Sequence, residues 1–137
     1  DFEKGTISTD PKNHEKMTLA RAAKVQQVEN KIPYLRVQGN ASSETLLVGW
    51  GSTEGHLRAA ATELGCSLAH FNFINPLPRN TRSVLARYKK IVVCEINSGQ
   101  FATYLRSQFP DIPVMQCNAQ QGQPFQVSDI VEFVKNN

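Results

Sequence analysis

Residues 46–65 read LLVGWGSTEGHLRAAATELG, and the fold turns on how they are parsed. Leu46 to Trp50 make an apolar run of strand length. Gly49, Gly51 and Gly55 punctuate its end and the residues beyond. Leu57, Ala60, Ala61 and Leu64 then recur at the i, i+3, i+4, i+7 spacing of one helix face. Gly65 is placed to close that helix. The stretch is a strand running into a helix through a glycine turn, which fits either a phosphate cradle or a packed junction.

Gly49-Trp50-Gly51 with Gly55 spells GxGxxxG, close to the dinucleotide fingerprint GxGxxG. Three features weigh against a cradle. A bulky indole stands between the first two glycines, where a pyrophosphate would approach. The next strand, reading AHFNFINPLP, ends without an acid to hold a ribose, and a 45-residue preamble precedes the unit. The expectation is a junction in which Gly51 permits the tight turn and Ser52 or Thr53 caps the helix.

Outward from this unit the rhythm repeats. Ser67–Ile74 is expected as a strand, broken at Pro76 and Pro78, and Val84, Leu85 and Tyr88 mark a short helix. Residues 90–96, KIVVCEI, are the clearest buried strand. Phe101, Ala102, Leu105 and Phe109 mark a helix stopped by Pro110, and residues 112–117 a further strand. Val127, Ile130, Val131 and Val134 give a last helix with Ser128 as its cap, after a polar loop over 118–125. On the amino-terminal side, residues 34–38 make a short strand. A helix over 14–30 with a thin apolar stripe is capped by Asn13 or Asp10. Strands buried on both faces and joined by crossover helices imply an α/β domain of three layers, α/β/α, around a parallel sheet.

At 137 residues the chain is the size of one domain and buries a core without disulfides or metals. The net charge of +3 is too small to point to nucleic acid. The densest basic stretch, Arg79, Arg82, Arg87, Lys89 and Lys90, reads as a solvated face. Cys66, Cys94 and Cys117 lie in or beside apolar runs without a CxxC pair, which reads as buried reduced thiols of a cytoplasmic protein. Three scattered thiols fall short of an iron–sulfur ligand set. No apolar run approaches the roughly 20 residues of a membrane span, and no signal peptide is visible. A start at Asp1 suggests a piece of a longer polypeptide.

His14, His56 and His70 share no ligand spacing, and no GxSxG elbow is present, so neither a metal site nor a hydrolase triad is expected. Residues 94–101, CEINSGQF, carry more. Glu95 and Asn97 sit at the carboxyl end of a buried strand, where open α/β sheets form their crevices. Glu95 serves there either a site or the exposed N–H groups of the following helix.

Four segments, LLVGWGSTEGHLRAAATEL (46–64), INPLP (74–78), KIVVCEINSGQFATYLR (90–106) and QPFQVSDIVEFV (123–134), together resemble one family. It is the carboxy-terminal domain of the alpha subunit of 2-oxoacid:ferredoxin oxidoreductases, the 2-oxoglutarate type above all. The leader DFEKGTISTDPKNHEKM (1–17) resembles the segment that joins this domain to the preceding one. The resemblance implies a transketolase C-terminal-like fold with a five-stranded mixed sheet of order 1-3-2-4-5, strand 1 antiparallel. It divides the chain into a linker and helix over 1–33, reaching toward a missing upstream domain, and an α/β domain over 34–137.

The resemblance also implies a parent enzyme that decarboxylates a 2-oxoacid with thiamine diphosphate, forms an acyl-CoA and reduces ferredoxin. Its thiamine diphosphate, magnesium and iron–sulfur cluster are held through the beta subunit. No catalytic, cofactor-binding or metal residue is therefore expected in this chain. Its partners are the beta subunit and the other domains of the alpha subunit, with ferredoxin and CoA serving the whole complex. The candidate switch-point or interface residues are Gly49, Trp50, Gly51, Ser52, Thr53, Asn75, Glu95, Asn97 and Gln100. The alternatives are a free-standing nucleotide- or CoA-binding module, and the matching domain of another thiamine enzyme.

Overall fold

In the computed structural model, which describes residues 1–119 and 123–137, the elements run in alternation. They are α1 (Pro11–Val28), β1 (Val37–Gly39), β2 (Thr45–Trp50), α2 (Glu54–Leu64), β3 (Ser67–Phe71), α3 (Thr81–Leu85), β4 (Lys90–Glu95), α4 (Gln100–Gln108), β5 (Met115–Asn118) and α5 (Val127–Asn136). The five strands form one sheet of order β1-β3-β2-β4-β5, with β1 antiparallel to β3 and the other pairings parallel. The expected strand order and orientation hold.

The chain divides into two units, one of residues 1–33 and 73–79, the other of residues 34–72 and 80–137. In the larger unit, alternation of side chains along each strand sorts the apolar residues onto two faces. Leu47, Leu68, Val92, Cys94 and Cys117 share one core with Leu57, Ala60 and Ala61 of α2 and Ile130, Val131 and Val134 of α5. Leu46, Val48, Ile91 and Val93, buried with at most 1% exposure, point the other way. On that face Phe71 meets Phe101 of α4 edge-on, ring centroids 5.0 Å apart. Each such side chain, fully buried, contributes about 1.5–3 kcal/mol. The middles of β2, Leu46 to Val48, and of β4, Ile91 to Cys94, are apolar on both faces because they have no solvent face.

Element boundaries shift where tertiary partners decide them. β3 stops at Phe71 rather than Ile74, because its parallel partner ends at the Trp50↔Phe71 pair. β5 starts at Met115 rather than residue 112, since Pro113 has no N–H for the ladder. β1 begins at Val37 rather than residue 34. The Asn80 side chain takes the strand's place for Leu35, accepting from its N–H at 2.8 Å and donating to its carbonyl at 2.9 Å. Gly65, at φ 63, ends α2 in the left-handed region as expected. Ser128 does not cap α5: the cap position is Gln126, without a side-chain bond. Of the loop expected over 118–125, residues 120–122 lie outside the described residues.

In the smaller unit α1 starts at Pro11, a residue suited to a first helical position. Asp10, not Asn13, is the cap, accepting from the N–H groups of Lys12 and Asn13. No residue of α1 is buried, and Leu19, Val25 and Val28 of its thin stripe are exposed. Arg79 donates to Asn30 at 3.4 Å. The Asn75–Pro76 peptide is cis, and Asn75 is exposed.

Candidate functional site at the carboxyl ends of β2 and β4

β2 lies between β3 and β4. The chain leaves β2 toward one neighbour and later returns on its other side, so the carboxyl ends of β2 and β4 form the switch point of the sheet. A cavity of about 240 Å³ opens there, lined by Trp50, Gly51, Ser52, Thr53, Glu95, Ile96 and Asn97. The segments that follow β2 and β4 face each other across it.

Glu95 is the last residue of β4 and is only 1% exposed. Its Oε1 accepts from the Phe101 N–H at 2.7 Å and from Trp50 Nε1–H at 3.2 Å, and its Oε2 accepts from the Ala102 N–H at 2.9 Å. Asn97 completes the set: its Oδ1 accepts from the N–H groups of Gly99 at 2.8 Å and Gln100 at 3.0 Å. A helix start leaves four N–H groups without helical partners. At α4 those of Gly99, Gln100, Phe101 and Ala102 are all taken by these two side chains. Glu95 therefore serves the helix rather than an incoming group, and it also ties the β2 end to the β4 end through the indole. Trp50 is half-buried and lies 6.3 Å from Phe101, centroid to centroid.

The glycine turn is a junction. A Cβ on Gly49 would stand 2.1 Å from Leu57 Cδ1 and 2.8 Å from Thr53 Oγ1, so the missing side chain makes room for α2 packing rather than for a ligand. Gly51 has φ +65 and open space around it, so its backbone conformation alone demands glycine. A short 3-10 turn, Gly51–Thr53, leads into α2. Neither Ser52 nor Thr53 caps that helix. Thr53 instead donates its hydroxyl to the Trp50 carbonyl at 2.9 Å and is 4% exposed. Of the two buried polar side chains lining the cavity, Thr53 is bonded to Trp50 and Glu95 is a carboxyl, a hydrogen-bond acceptor like a pyrophosphate rather than a donor to one.

Of the expected site residues, the switch point brings together Trp50, Gly51, Ser52, Thr53, Glu95 and Asn97. Gly49, Thr53 and Glu95 are interior, so their place is behind the surface rather than on it. Gly51, Ser52 and Gln100 are exposed, and Trp50 and Asn97 are partly so. Asn75 belongs to the other unit.

One participant carries no signal in the sequence. His70 Nε2–H donates to the Gly51 carbonyl at 3.0 Å, and its Nδ1 lies 3.9 Å from Glu54 Oε2. Only the parallel pairing of β3 with β2 places His70 there, and no local pattern announces it. Arg58 beside Glu54, with His70, holds the Glu54 carboxyl below its usual range. Among the described residues no group of three or more His, Cys, Asp or Glu is arranged to hold a metal ion. The cavity lining pairs no nucleophile with a base. The arrangement joins elements and presents a small polar face.

No family model matches the chain. It is 34% identical over 137 residues to the 2-oxoglutarate oxidoreductase subunit KorA of Mycobacterium tuberculosis, covering 96% of this chain and 20% of that protein. It is 26% identical over 144 residues to the 2-oxoacid:ferredoxin oxidoreductase subunit alpha of Saccharolobus solfataricus, covering 97% of this chain and 23% of that one. Among solved structures, the 2-oxoglutarate:ferredoxin oxidoreductase from Magnetococcus marinus, with 2-oxoglutarate, coenzyme A and succinyl-CoA bound, superposes with a TM-score of 0.79 at 27% identity. That match covers 98% of this chain and 25% of the other. The chain thus spans about a fifth to a quarter of the length of these relatives.

Proposed function

We propose, from the premise that this chain is homologous to part of the alpha subunit of 2-oxoacid:ferredoxin oxidoreductases, that it is a structural and assembly domain of such an enzyme. The reaction assigned to the parent enzyme is the conversion of a 2-oxoacid of the 2-oxoglutarate type and CoA to an acyl-CoA and CO2, with reduction of ferredoxin. There thiamine diphosphate would supply the carbanion chemistry of decarboxylation, and an iron–sulfur cluster would carry the electrons. Both, with magnesium, are assigned to the beta subunit. This chain's thiols are a poor match to a cluster: Cys66, Cys94 and Cys117 are buried in an apolar core. Residues 1–33 are assigned to the connection with an upstream domain, and residues 34–137 to the α/β domain.

The observation that carries this reading is the closed network at the switch point. The hydrogen-bonding groups of Glu95 and Asn97 that enter the α4 start are committed to backbone N–H groups and the Trp50 indole. They stabilise a face and leave no reacting group on it. The exposed part of that face, Gly51, Ser52, Gln100 and the open edges of Trp50 and Asn97, is assigned to contact with the beta subunit or a neighbouring alpha domain. A half-exposed tryptophan is the kind of side chain enriched where partners dock.

The chain alone, given thiamine diphosphate, magnesium, CoA, 2-oxoglutarate and a low-potential dye, is expected to reduce no dye and to purify without stoichiometric iron. Turnover would overturn the assignment of the chemistry to other parts of the complex. Ser52→Arg and Gln100→Arg, placed in the whole alpha subunit, are expected to weaken assembly with the beta subunit, seen as earlier dissociation in sedimentation at low concentration. Their stabilities should stay within a few tenths of a kcal/mol of the parent, as exposed substitutions do. Normal assembly of both variants would remove the contact role.

A further inference from the structure

We propose that Cys94 and Cys117 form a dithiol site that a hydroperoxide oxidises reversibly to a disulfide between β4 and β5. The two residues are direct partners in the parallel register, Cys94↔Cys117. Adjacent strands stand about 4.8 Å apart, inside the roughly 4.4–6.8 Å between Cα atoms that a disulfide spans. Both side chains enter the same core, on the α2 and α5 side of the sheet. Cys66 shares that core, but it precedes β3, and β2 separates β3 from β4.

Access distinguishes the two thiols. Cys94 is fully buried. Cys117 is 7% exposed and lines a cavity of about 410 Å³. Gln123, Gln126 and Asp129, all exposed, also line it, so it reaches solvent. The neighbouring Cys94 thiol holds the Cys117 thiol below its ordinary range. Its interaction with Cys117, with burial, pushes the Cys94 thiol well up. Cys117 is thus both the thiol an oxidant reaches and the one that gives the thiolate more readily.

The chemistry closes with a peroxide as oxidant. The Cys117 thiolate attacks the peroxide, an S–O bond forms, the O–O bond breaks, and the departing hydroxide is protonated to water. Cys94 sulfur then attacks the sulfenic sulfur. The S–S bond forms, the S–O bond breaks, and the hydroxyl leaves as a second water with the Cys94 proton. Two thiols lose two electrons in total, and the peroxide takes them. A dithiol reductant reverses the change by exchange. The product fastens β5, which β4 alone holds in the sheet, to its neighbour.

The test is to treat the folded chain with graded hydrogen peroxide, quench it, unfold the chain in denaturant and block the remaining thiols with an alkylating agent, and measure intact mass and cross-linked peptides. The expected result is loss of two thiols and of about two hydrogens per chain, a Cys94–Cys117 cross-link, an alkylated Cys66, and full recovery with dithiothreitol. In Cys94→Ala the Cys117 thiol, lacking its resolving partner, is expected to gain oxygen and not to cross-link. Cross-links through Cys66 in comparable yield, or Cys117 taking up oxygen in the parent without a cross-link, would overturn the proposal. So would a parent whose three thiols are all alkylated after peroxide treatment.

Discussion

Glu95→Ala is expected to destabilise the α/β unit by about 3 kcal/mol, because it strips partners from three donors at once. The N–H groups of Phe101 and Ala102 and the Trp50 indole N–H all end on this carboxyl. Glu95 is only 1% exposed, so water does not readily replace it. Glu95→Gln keeps the shape but turns an NH2 group toward donors, so it should recover less than half of the loss. Urea denaturation followed by far-UV circular dichroism gives both values. An alanine variant that unfolds at the parent's midpoint would mean that Glu95 is not a support, and the contact reading would regain it.

Gly49→Val should cost about 2–3 kcal/mol through overpacking. The position of its Cβ is already claimed by Leu57 Cδ1 at 2.1 Å and Thr53 Oγ1 at 2.8 Å, and both side chains are buried, so both must shift within the packed interior. Gly51→Val is the informative companion. No atom lies within 4 Å of its added Cβ, so the cost is that of placing a branched residue at φ +65, about 1–2 kcal/mol. The order of the two losses is the prediction. A Gly51→Val protein that melts like the parent while losing nucleotide affinity would favour the binding-module alternative.

β2 and β4 are legible in the sequence because burial on both faces writes a continuous apolar run. β1 and β5, at the edges, are not legible to the residue. Three residues of β1 hold no signal of direction, and its antiparallel sense comes from family resemblance alone. The glycine turn is readable as a junction, since a tryptophan between glycines is a local fact. Its capping is not: Thr53 bonds back to Trp50, and the side-chain caps of this region belong to α4. The Glu95 role is visible in sequence only as one of two options. Deciding it needs the Trp50 indole, 45 residues away in sequence, and the His70 contact to Gly51 spans 19. Short-range pattern does not carry such pairings.

The central position of β2 also bears on how the chain is made. Its first neighbour, β3, emerges soon after it, but its second neighbour is not complete until Glu95. At about 5–20 residues per second, a ribosome leaves that second side of β2 unpaired for on the order of seconds. During that interval a strand with four buried-type residues in a row, Leu46 to Gly49, offers its free backbone edge to any passing segment. The nascent chain is most open to mispairing at the strand that later lies deepest in the sheet.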